Sequence, residues 1–134
     1  SNPVERELLN HILHPRIKRE IDRRIEGIGQ KGTKATKAIV VIDAALLVET
    51  GYYREVDKVV VVTSAKKLQI ERLRRREQMT QVMARGIIDS QISREERIKV
   101  ADIIIRNEGS REETKGKAKK VFEELKRAAL RKRG

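Results

Sequence analysis

Apolar residues form three short continuous runs, each within a segment that reads as a strand: 38–43, 57–63 and 101–105. Continuous runs of this length, rich in valine and isoleucine, are typical of strands buried on both faces in a parallel sheet covered by helices. In such sheets ligands gather at the carboxyl ends of the strands. Asp43 closes the first run and is therefore placed at the ligand edge of the predicted sheet.

Ahead of the first run, apolar residues recur at helical spacing. Asn2 and Pro3 predict a helix start, and Pro15 predicts a break, because the residue before a proline is biased away from helix. A second helix is predicted from Pro15, with an apolar stripe of Ile17, Ile21, Ile25 and Ile28. The glycine-rich stretch 27–37 predicts a connecting loop. Its glycine spacing does not match the dinucleotide fingerprint, since a helix precedes it and a strand follows.

Polar caps mark the later helices. Ser64 and Thr80 predict two helix starts, and capping boxes are expected at 93–96 and 110–113. Residues 44–50 predict a short helix or turn that ends near Gly51. The inward face of the last helix is expected to consist of Ala118, Val121, Phe122, Leu125, Ala128 and Ala129. Strands that alternate with helices predict a single α/β domain over 1–134 with a mostly parallel sheet.

Composition limits the cellular setting and the kinds of partner that the chain is expected to have. The chain has no cysteine, which excludes disulfides and thiolate metal sites and favours an intracellular, cytoplasmic setting. No apolar run reaches the length of a membrane span. The formal net charge of +12 favours an anionic partner such as nucleic acid, a nucleotide or a polyphosphate. A heavily charged surface of the kind found in heat-stable proteins is the alternative.

The strongest charge feature is a group of arginines on one predicted helix. Arg72, Arg75 and Arg76 lie three and four residues apart, so they share adjoining parts of a helix face. Like charges at this spacing repel, unless an anion bridges the guanidinium groups. A solvated surface, moderated by Glu71 and Glu77, explains the same pattern. Arg85 is placed to reach the same anion.

Other candidate residues carry weaker signals. His11 and His14 have no carboxylate that completes a metal set, which disfavours zinc. Asp43 and Glu49 suit either a magnesium ion or hydroxyl, or simple caps and salt bridges. Asn107 and Gly109 follow the third run, where they suit a tight turn or a loop that contacts a base.

In this order and spacing, these segments resemble the dephospho-coenzyme A kinase family, which belongs to the P-loop kinases. The resemblance begins with Asn-Pro at 2–3 and Leu-His-Pro at 13–15, and continues with Asp43-x-x-Leu-Leu-x-Glu49 and Val-Asp-Lys-Val at 56–59. Further on, the chain has Gln69-x-x-Arg72-Leu-x-x-Arg76, Arg85 and Gln91. It closes with Ala-Asp-x-x-Ile-x-Asn-x-Gly at 101–109. The resemblance runs almost from end to end.

The resemblance implies a P-loop kinase fold with a helical lid and ATP-dependent phosphorylation of the ribose 3′-hydroxyl of dephospho-CoA. Magnesium is expected with the ATP. The resemblance implies acceptor-side helices and a loop at 1–37, a lid at 66–100, and the last strand and helix at 101–134. It implies ATP phosphate binding by Arg72, Arg76 and Arg85, and adenine contact by Asn107 and Gly109. It also implies an acceptor pocket that involves His14, Pro15, Arg16, Asp43 and Glu49.

Two departures from the family pattern stand out. Ala45 occupies a position where the family usually has proline. More importantly, the sequence contains no Gly-x-x-x-x-Gly-Lys-Ser/Thr motif, which cradles the ATP phosphates in P-loop enzymes, and it lacks the acidic residue expected as catalytic base. We therefore expect the chain to be the later part of such a kinase, with its first strands missing. Alone it is expected to be inactive, and self-association is one way to complete its sheet.

Two further readings belong to other functional classes. One is a non-catalytic basic module that binds nucleic acid or a nucleotide through residues 72–76 and 126–133. The near absence of aromatic residues for stacking disfavours nucleic acid. The other is a regulatory subunit that keeps the nucleotide lid without the chemistry. Steep salt dependence with no preference for adenine nucleotides would distinguish nucleic-acid binding from the rest.

Overall fold

The computed structural model describes residues 2–30 and 39–131. Its internal contacts divide the chain into two compact units, Ser1–Asp43 and Ala44–Gly134. Among the described residues, no helix combines the length and apolar character needed to cross a bilayer. The limits predicted for the acceptor, lid and C-terminal segments stay predictions.

The first unit contains one long helix, α1 (Pro3–Gln30). As predicted, Asn2 caps it: its side-chain oxygen accepts a hydrogen bond from the Val4 N–H at 3.0 Å. The helix runs through Pro15, so the predicted break there is wrong, and so is the predicted loop where it covers 27–30. A proline removes one backbone hydrogen bond, and here helical sequence on both sides outweighs that loss. The rest of the predicted loop, 31–37, lies outside the described residues.

Ion pairs support the turns of α1 that follow Pro15. Glu20 accepts hydrogen bonds from Arg23 and Arg24, at distances of 2.7–2.8 Å. The bonds from Arg23 and then Arg24 lower the pKa of Glu20 to about 2. These contacts join residues three and four apart, the spacing at which helical neighbours meet.

The strand predicted over 38–43 is not formed in its described part, 39–43. Val41 is 76% exposed, although the sequence pattern places it in a strand buried on both faces. The physical reason is that a strand needs a hydrogen-bonded neighbour. The two strands of the described residues pair with each other and not with this segment.

The second unit opens with turns over 45–50, as predicted, followed by a short 3₁₀ helix (Tyr52–Glu55) that the sequence did not predict. The remaining elements, in chain order, are β1 (Val60–Thr63), α2 (Lys66–Glu77), α3 (Gln81–Asp89), α4 (Arg94–Lys99), β2 (Ile103–Arg106) and α5 (Arg111–Arg131).

The two strands form a parallel pair, with Val60 opposite Ile103 and Thr63 opposite Arg106. This confirms the predicted α/β class with a parallel sheet, although both strands begin later than predicted. Val61 and Ile105 are buried within the strands, and Val59 is buried just before β1. Val62 and Ile104 are 57% and 42% exposed, so the prediction that these strands are buried on both faces is wrong for the described residues.

Asp102 fastens the amino-terminal ends of both strands. One carboxylate oxygen accepts a hydrogen bond from the Lys58 ammonium group and the other from the Val59 backbone N–H, both at 2.7 Å. The bond from Lys58, and then that from Val59, lower the pKa of the Asp102 carboxyl. The same pair raises the pKa of Lys58. The Asp102 carboxylate thus joins two segments that are distant in sequence and fixes their register.

Of the four helix caps predicted in the second unit, three are confirmed and one is wrong. Thr80 accepts a hydrogen bond from the Met83 N–H, and the serines of both capping boxes make the expected pairs of bonds with Glu96 and Glu113. Ser64 does not cap α2: the cap position is Ala65, which makes no side-chain bond. Ser64 is buried one residue earlier, so its hydroxyl is too far back along the chain to cap.

The inward face predicted for α5 is only partly right. Val121, Leu125 and Ala129 are half-buried, whereas Ala118, Phe122 and Ala128 are exposed. Residues at 121, 125 and 129 are four apart and follow a single stripe of the helix. The contact face of α5 is therefore narrower than the predicted one.

Candidate nucleotide-binding site

The carboxyl end of the β1–β2 sheet brings buried polar groups together. Thr63 and Ser64, at the end of β1, are both 7% exposed. The Asn107 backbone N–H continues the sheet beyond β2 and donates to the Thr63 carbonyl at 2.8 Å. The Gln69 side chain, one turn into α2, donates to the Ser64 carbonyl at 2.8 Å. Because these bonds fix the backbone at the strand ends, the loops that leave them have defined positions.

Arg72 connects helix α2 to the loop that follows β2. Its guanidinium group donates to the Asn107 backbone carbonyl at 2.9 Å across 35 residues of sequence. The structure thus brings together two residues that were predicted to bind a nucleotide. A guanidinium group has five N–H donors, so this bond leaves others on the exposed Arg72 side chain for an anion.

Asn107 is held from the other side by α5. The Thr114 hydroxyl donates to the Asn107 side-chain oxygen at 3.0 Å. Lys117, one turn further on, donates to the Arg106 carbonyl at 2.8 Å. The side-chain amide of Asn107 is therefore oriented by its neighbours, and its NH₂ group keeps two donors.

Gly109 has a steric reason to be glycine. A Cβ atom at this position would overlap the carboxylate of Glu113. That carboxylate accepts a hydrogen bond from the Ser110 N–H at 3.0 Å, while the Ser110 hydroxyl accepts from the Glu113 N–H at 3.1 Å. The capping box at the start of α5 thus occupies the space beside Gly109, and the loop packs close to the helix terminus.

A cleft of about 480 Å³ opens at this end of the sheet. The Arg94 side chain lines it and donates through Nε to the Thr63 hydroxyl at 3.0 Å. Arg97, which also lines the cleft, donates to the Ile92 carbonyl at 3.0 Å, and its buried Nε has no partner in the described structure. Sequence reasoning missed both arginines. The one signal in the sequence was their position just after Ser93, which begins a capping box.

Arg76 and Arg85 have different surroundings from Arg72. Arg76 donates to the carboxylate of the next residue, Glu77, at 2.6 Å. Arg85 lies on α3 and lines a separate cleft with Arg74 and Arg75. The three predicted phosphate-binding arginines thus belong to one helical hairpin, and Arg72 is the one that contacts the loop after β2.

The predicted acceptor-side residues fall in both units. In α1, His14 is half-buried, and its buried Nε2 atom has no hydrogen-bond partner in the described structure. Pro15 and Arg16 follow it in the same helix and are exposed. Asp43 is exposed at the end of the first unit, and Glu49 is exposed in the turns that open the second. Within residues 2–30 and 39–131, no three histidine or carboxylate side chains group as a metal site would require.

Comparison with known families decides the assignment. A family model described as dephospho-CoA kinase matches residues 1–113 of this chain. The chain belongs to the dephospho-CoA kinase family. The match includes α1, the hairpin of α2 and α3, the β1–β2 sheet and the loop with Asn107 and Gly109.

Individual dephospho-CoA kinases agree with this assignment. The enzyme named dephospho-CoA kinase from Enterococcus faecalis is 41% identical over 124 residues, which are 92% of this chain and 60% of the relative. Its counterpart from Syntrophotalea carbinolica is 39% identical over 115 residues, covering 86% of this chain and 53% of the relative. The chain therefore spans less than two thirds of the length of these relatives.

A solved structure shows the same fold. The dephospho-CoA kinase from Campylobacter jejuni superposes with a TM-score of 0.63 at 27% sequence identity, covering 95% of this chain and 61% of that one. Membership of the family, and the α/β fold with a parallel sheet, therefore agree with the resemblance seen in the sequence.

Proposed function

We propose that this chain is the lid, acceptor-side and carboxyl-terminal part of a dephospho-CoA kinase. The reaction transfers a phosphoryl group from ATP to the ribose 3′-hydroxyl of dephospho-CoA and gives coenzyme A. Family membership over residues 1–113 supports the activity. The observation that carries the role of this chain is the bond from Arg72 to the Asn107 carbonyl, which joins the lid helix to the loop at the ligand edge of the sheet.

In this proposal, the ATP phosphates bind on the side of α2 that carries Arg72 and Arg76. Phosphoryl transfer needs positioning and stabilisation of negative charge more than it needs covalent chemistry from the protein. Arginine suits this role because its planar fork binds phosphate oxygens in pairs. An incoming phosphate would replace Glu77 as the partner of Arg76. Arg85 joins the phosphate site from α3.

The loop after β2 is the proposed adenine site. Asn107 presents amide donors that Thr114 orients, and the lack of a side chain at Gly109 lets the loop stay close to α5. Arg72 contacts this loop directly, so the phosphate and base sites share one hydrogen-bonded framework. Binding of the nucleotide is expected to stabilise both α2 and the loop.

The acceptor site is proposed to involve His14, Pro15, Arg16, Asp43 and Glu49. The unpartnered Nε2 atom of His14 supports a polar ligand near α1, since buried polar atoms normally have partners. Magnesium is proposed to accompany ATP. The ion would be held mainly by the ATP phosphates, as Mg²⁺ commonly is. We place the reaction in the cytoplasm.

The 134 residues contain no Gly-x-x-x-x-Gly-Lys-Ser/Thr motif. We therefore expect them to bind ATP weakly and to transfer no phosphate when produced alone. The basic module that binds nucleic acid remains the competing function, and it rests on the net charge of +12.

ATP titration of the chain and of two variants tests the proposal. Arg72→Ala should weaken ATP binding at least about tenfold, since a hydrogen bond to a charged group contributes about 1.5–3 kcal/mol. Lys119→Ala, an equal loss of charge on α5, should leave the affinity within about twofold. Equal weakening by the two variants, or stronger binding of an unrelated RNA with steep salt dependence, would support the basic module instead.

A further inference from the structure

The hairpin of α2 and α3 has a second basic surface, which faces away from the Asn107 loop. Lys67 and Arg74 are seven residues apart on α2 and so lie on one side of that helix, two turns apart. They line a cleft of about 860 Å³ between the two helices, here called the outer cleft. Its charged lining residues are Lys66, Lys67, Arg74, Arg75, Arg85 and a single carboxylate, Glu71.

Only part of this positive charge is neutralised within the described structure. Lys66 forms an ion pair with Asp89, and Arg75 pairs with Glu71 at 2.9 Å. Lys67, Arg74 and Arg85 have no ion pair among the residues that the structure describes. Three cations that converge on one concave surface repel each other, and a bound anion would remove that repulsion.

The outer cleft shares Arg85 with the proposed ATP site but uses a different side of α2. Arg72 contacts the Asn107 carbonyl and does not line the outer cleft. Successive helical residues are rotated by about 100°, so Arg72 and Arg74 point to nearly opposite sides of α2. An anion held by Lys67 and Arg74 is therefore not the one that Arg72 would contact.

We propose that the outer cleft is a second anion site, which binds a linear oligophosphate. Lys67 and Arg74 are about 10 Å apart along the helix axis, so a chain of phosphates can reach both, whereas a single phosphate is too short to bridge them directly. The volume lies in the range of small-molecule pockets. No aromatic side chain lines it, and single-stranded nucleic acid normally stacks its bases on such side chains.

The floor of the outer cleft bears on which phosphate compound binds there. Ile70 is 8% exposed and Met79 is half-buried, so both give the lining an apolar portion beneath the cations. A free oligophosphate uses only the cations, whereas the triphosphate tail of a nucleotide also brings a base to the apolar floor. In both compounds, the group that the outer cleft binds is the chain of phosphates.

Calorimetric titration of the 134-residue chain with inorganic tripolyphosphate tests this proposal. The variant Lys67→Ala/Arg74→Ala removes two exposed cations of the outer cleft. The control Lys119→Ala/Lys120→Ala removes two exposed cations from α5 and keeps the same net charge as the test variant. Circular dichroism confirms that both variants fold. We expect saturable binding whose affinity falls at least about tenfold in the first variant and stays within about twofold of the parent in the control.

Three results would overturn the proposal: no saturable binding by the parent chain, equal weakening in the two double variants, or loss in Arg72→Ala while Lys67→Ala/Arg74→Ala still binds. The last result would assign the phosphates to the proposed ATP site. Failure of the outer cleft thus leaves the kinase proposal standing, because that proposal depends on Arg72 and Asn107. Tighter binding of ATP than of tripolyphosphate at the outer cleft would identify a nucleotide as the source of the phosphates.

Discussion

Removal of the Asp102 carboxylate should destabilise the second unit more than removal of its charge partner. The carboxylate accepts one hydrogen bond from the Lys58 ammonium group and one from the Val59 backbone N–H. Asp102→Ala deletes both acceptors. Asp102→Asn keeps one oxygen for Val59 but removes the charge that attracts Lys58, and Lys58→Met removes the ammonium group alone.

The expected losses of unfolding free energy follow from the exposure of each group. Val59 is 4% exposed, and a buried N–H without an acceptor costs about 1–3 kcal/mol. The Lys58 side chain is 50% exposed, so solvent screens its ion pair and the pair contributes little. We therefore expect losses of unfolding free energy of about 2–3 kcal/mol for Asp102→Ala and about 1 kcal/mol for Asp102→Asn, and the smallest loss for Lys58→Met.

The dependence of folding stability on pH has a defined sign. The hydrogen bonds from Lys58 and Val59 lower the pKa of Asp102 in the folded state. The unfolded chain therefore takes up the proton first as the pH falls, and stability is lost below the ordinary carboxyl pKa of about 4. The stabilisation is fully present above that value. In Asp102→Asn, this part of the acid sensitivity should disappear.

Urea unfolding followed by tyrosine fluorescence measures these differences. The two tyrosines of the chain, Tyr52 and Tyr53, both lie in the second unit, so the signal reports its unfolding. A loss below about 0.5 kcal/mol for Asp102→Ala would refute the reasoning. So would a Lys58→Met variant as unstable as Asp102→Ala, because the backbone bond would then not be the dominant contribution.

Three further substitutions test other contacts in the same chain. Gly109→Ala should cost about 1 kcal/mol through the displaced Glu113 carboxylate, and the cost should vanish in a Glu113→Ala background; unfolding of the parent and the three variants of this cycle checks it. Ala84→Leu should cost about 1–3 kcal/mol, because Ala84 is fully buried in α3; a melting temperature equal to the parent's would contradict this. Pro15→Ala should stabilise α1 by up to about 3 kcal/mol and leave its helical circular dichroism nearly unchanged, because α1 already runs through Pro15; a large gain of helical signal would count against a continuous α1.

The parts of the fold that could be predicted are those that local chemistry determines. The capping boxes at Ser93 and Ser110 need only a serine and a glutamate three residues on, and both form. The valine-rich and isoleucine-rich runs of β1 and β2 were also recognisable as strands, and their pairing buries Val61 and Ile105. For these elements the local preference and the tertiary contacts favour the same conformation.

The errors arise where one local signal is read alone. Residues 39–43 have the composition of a buried strand, but no strand of the described structure pairs with them. Pro15 disfavours helix locally, yet α1 continues through it, because the helical sequence on both sides outweighs the proline.

The candidate site shows the same limit. Arg72 and Asn107 were each recognised, but only the structure reveals the hydrogen bond between them, because it depends on the sheet register across 35 residues. Arg94 was not recognised at all: its partner Thr63 is 31 residues away and ends a strand of ordinary sequence. Long-range hydrogen bonds leave no periodic pattern in a sequence.

Phosphate transfer by the natural gene product is the most direct test of the account. The product, purified with its complete amino terminus, is incubated with ATP, Mg²⁺ and dephospho-CoA, and the acceptor is analysed by mass spectrometry. We predict addition of one phosphate at the ribose 3′ position, a rate reduced at least about tenfold by Arg72→Ala, and no transfer by the 134 residues alone. A folded gene product that binds ATP but leaves dephospho-CoA unmodified would contradict it.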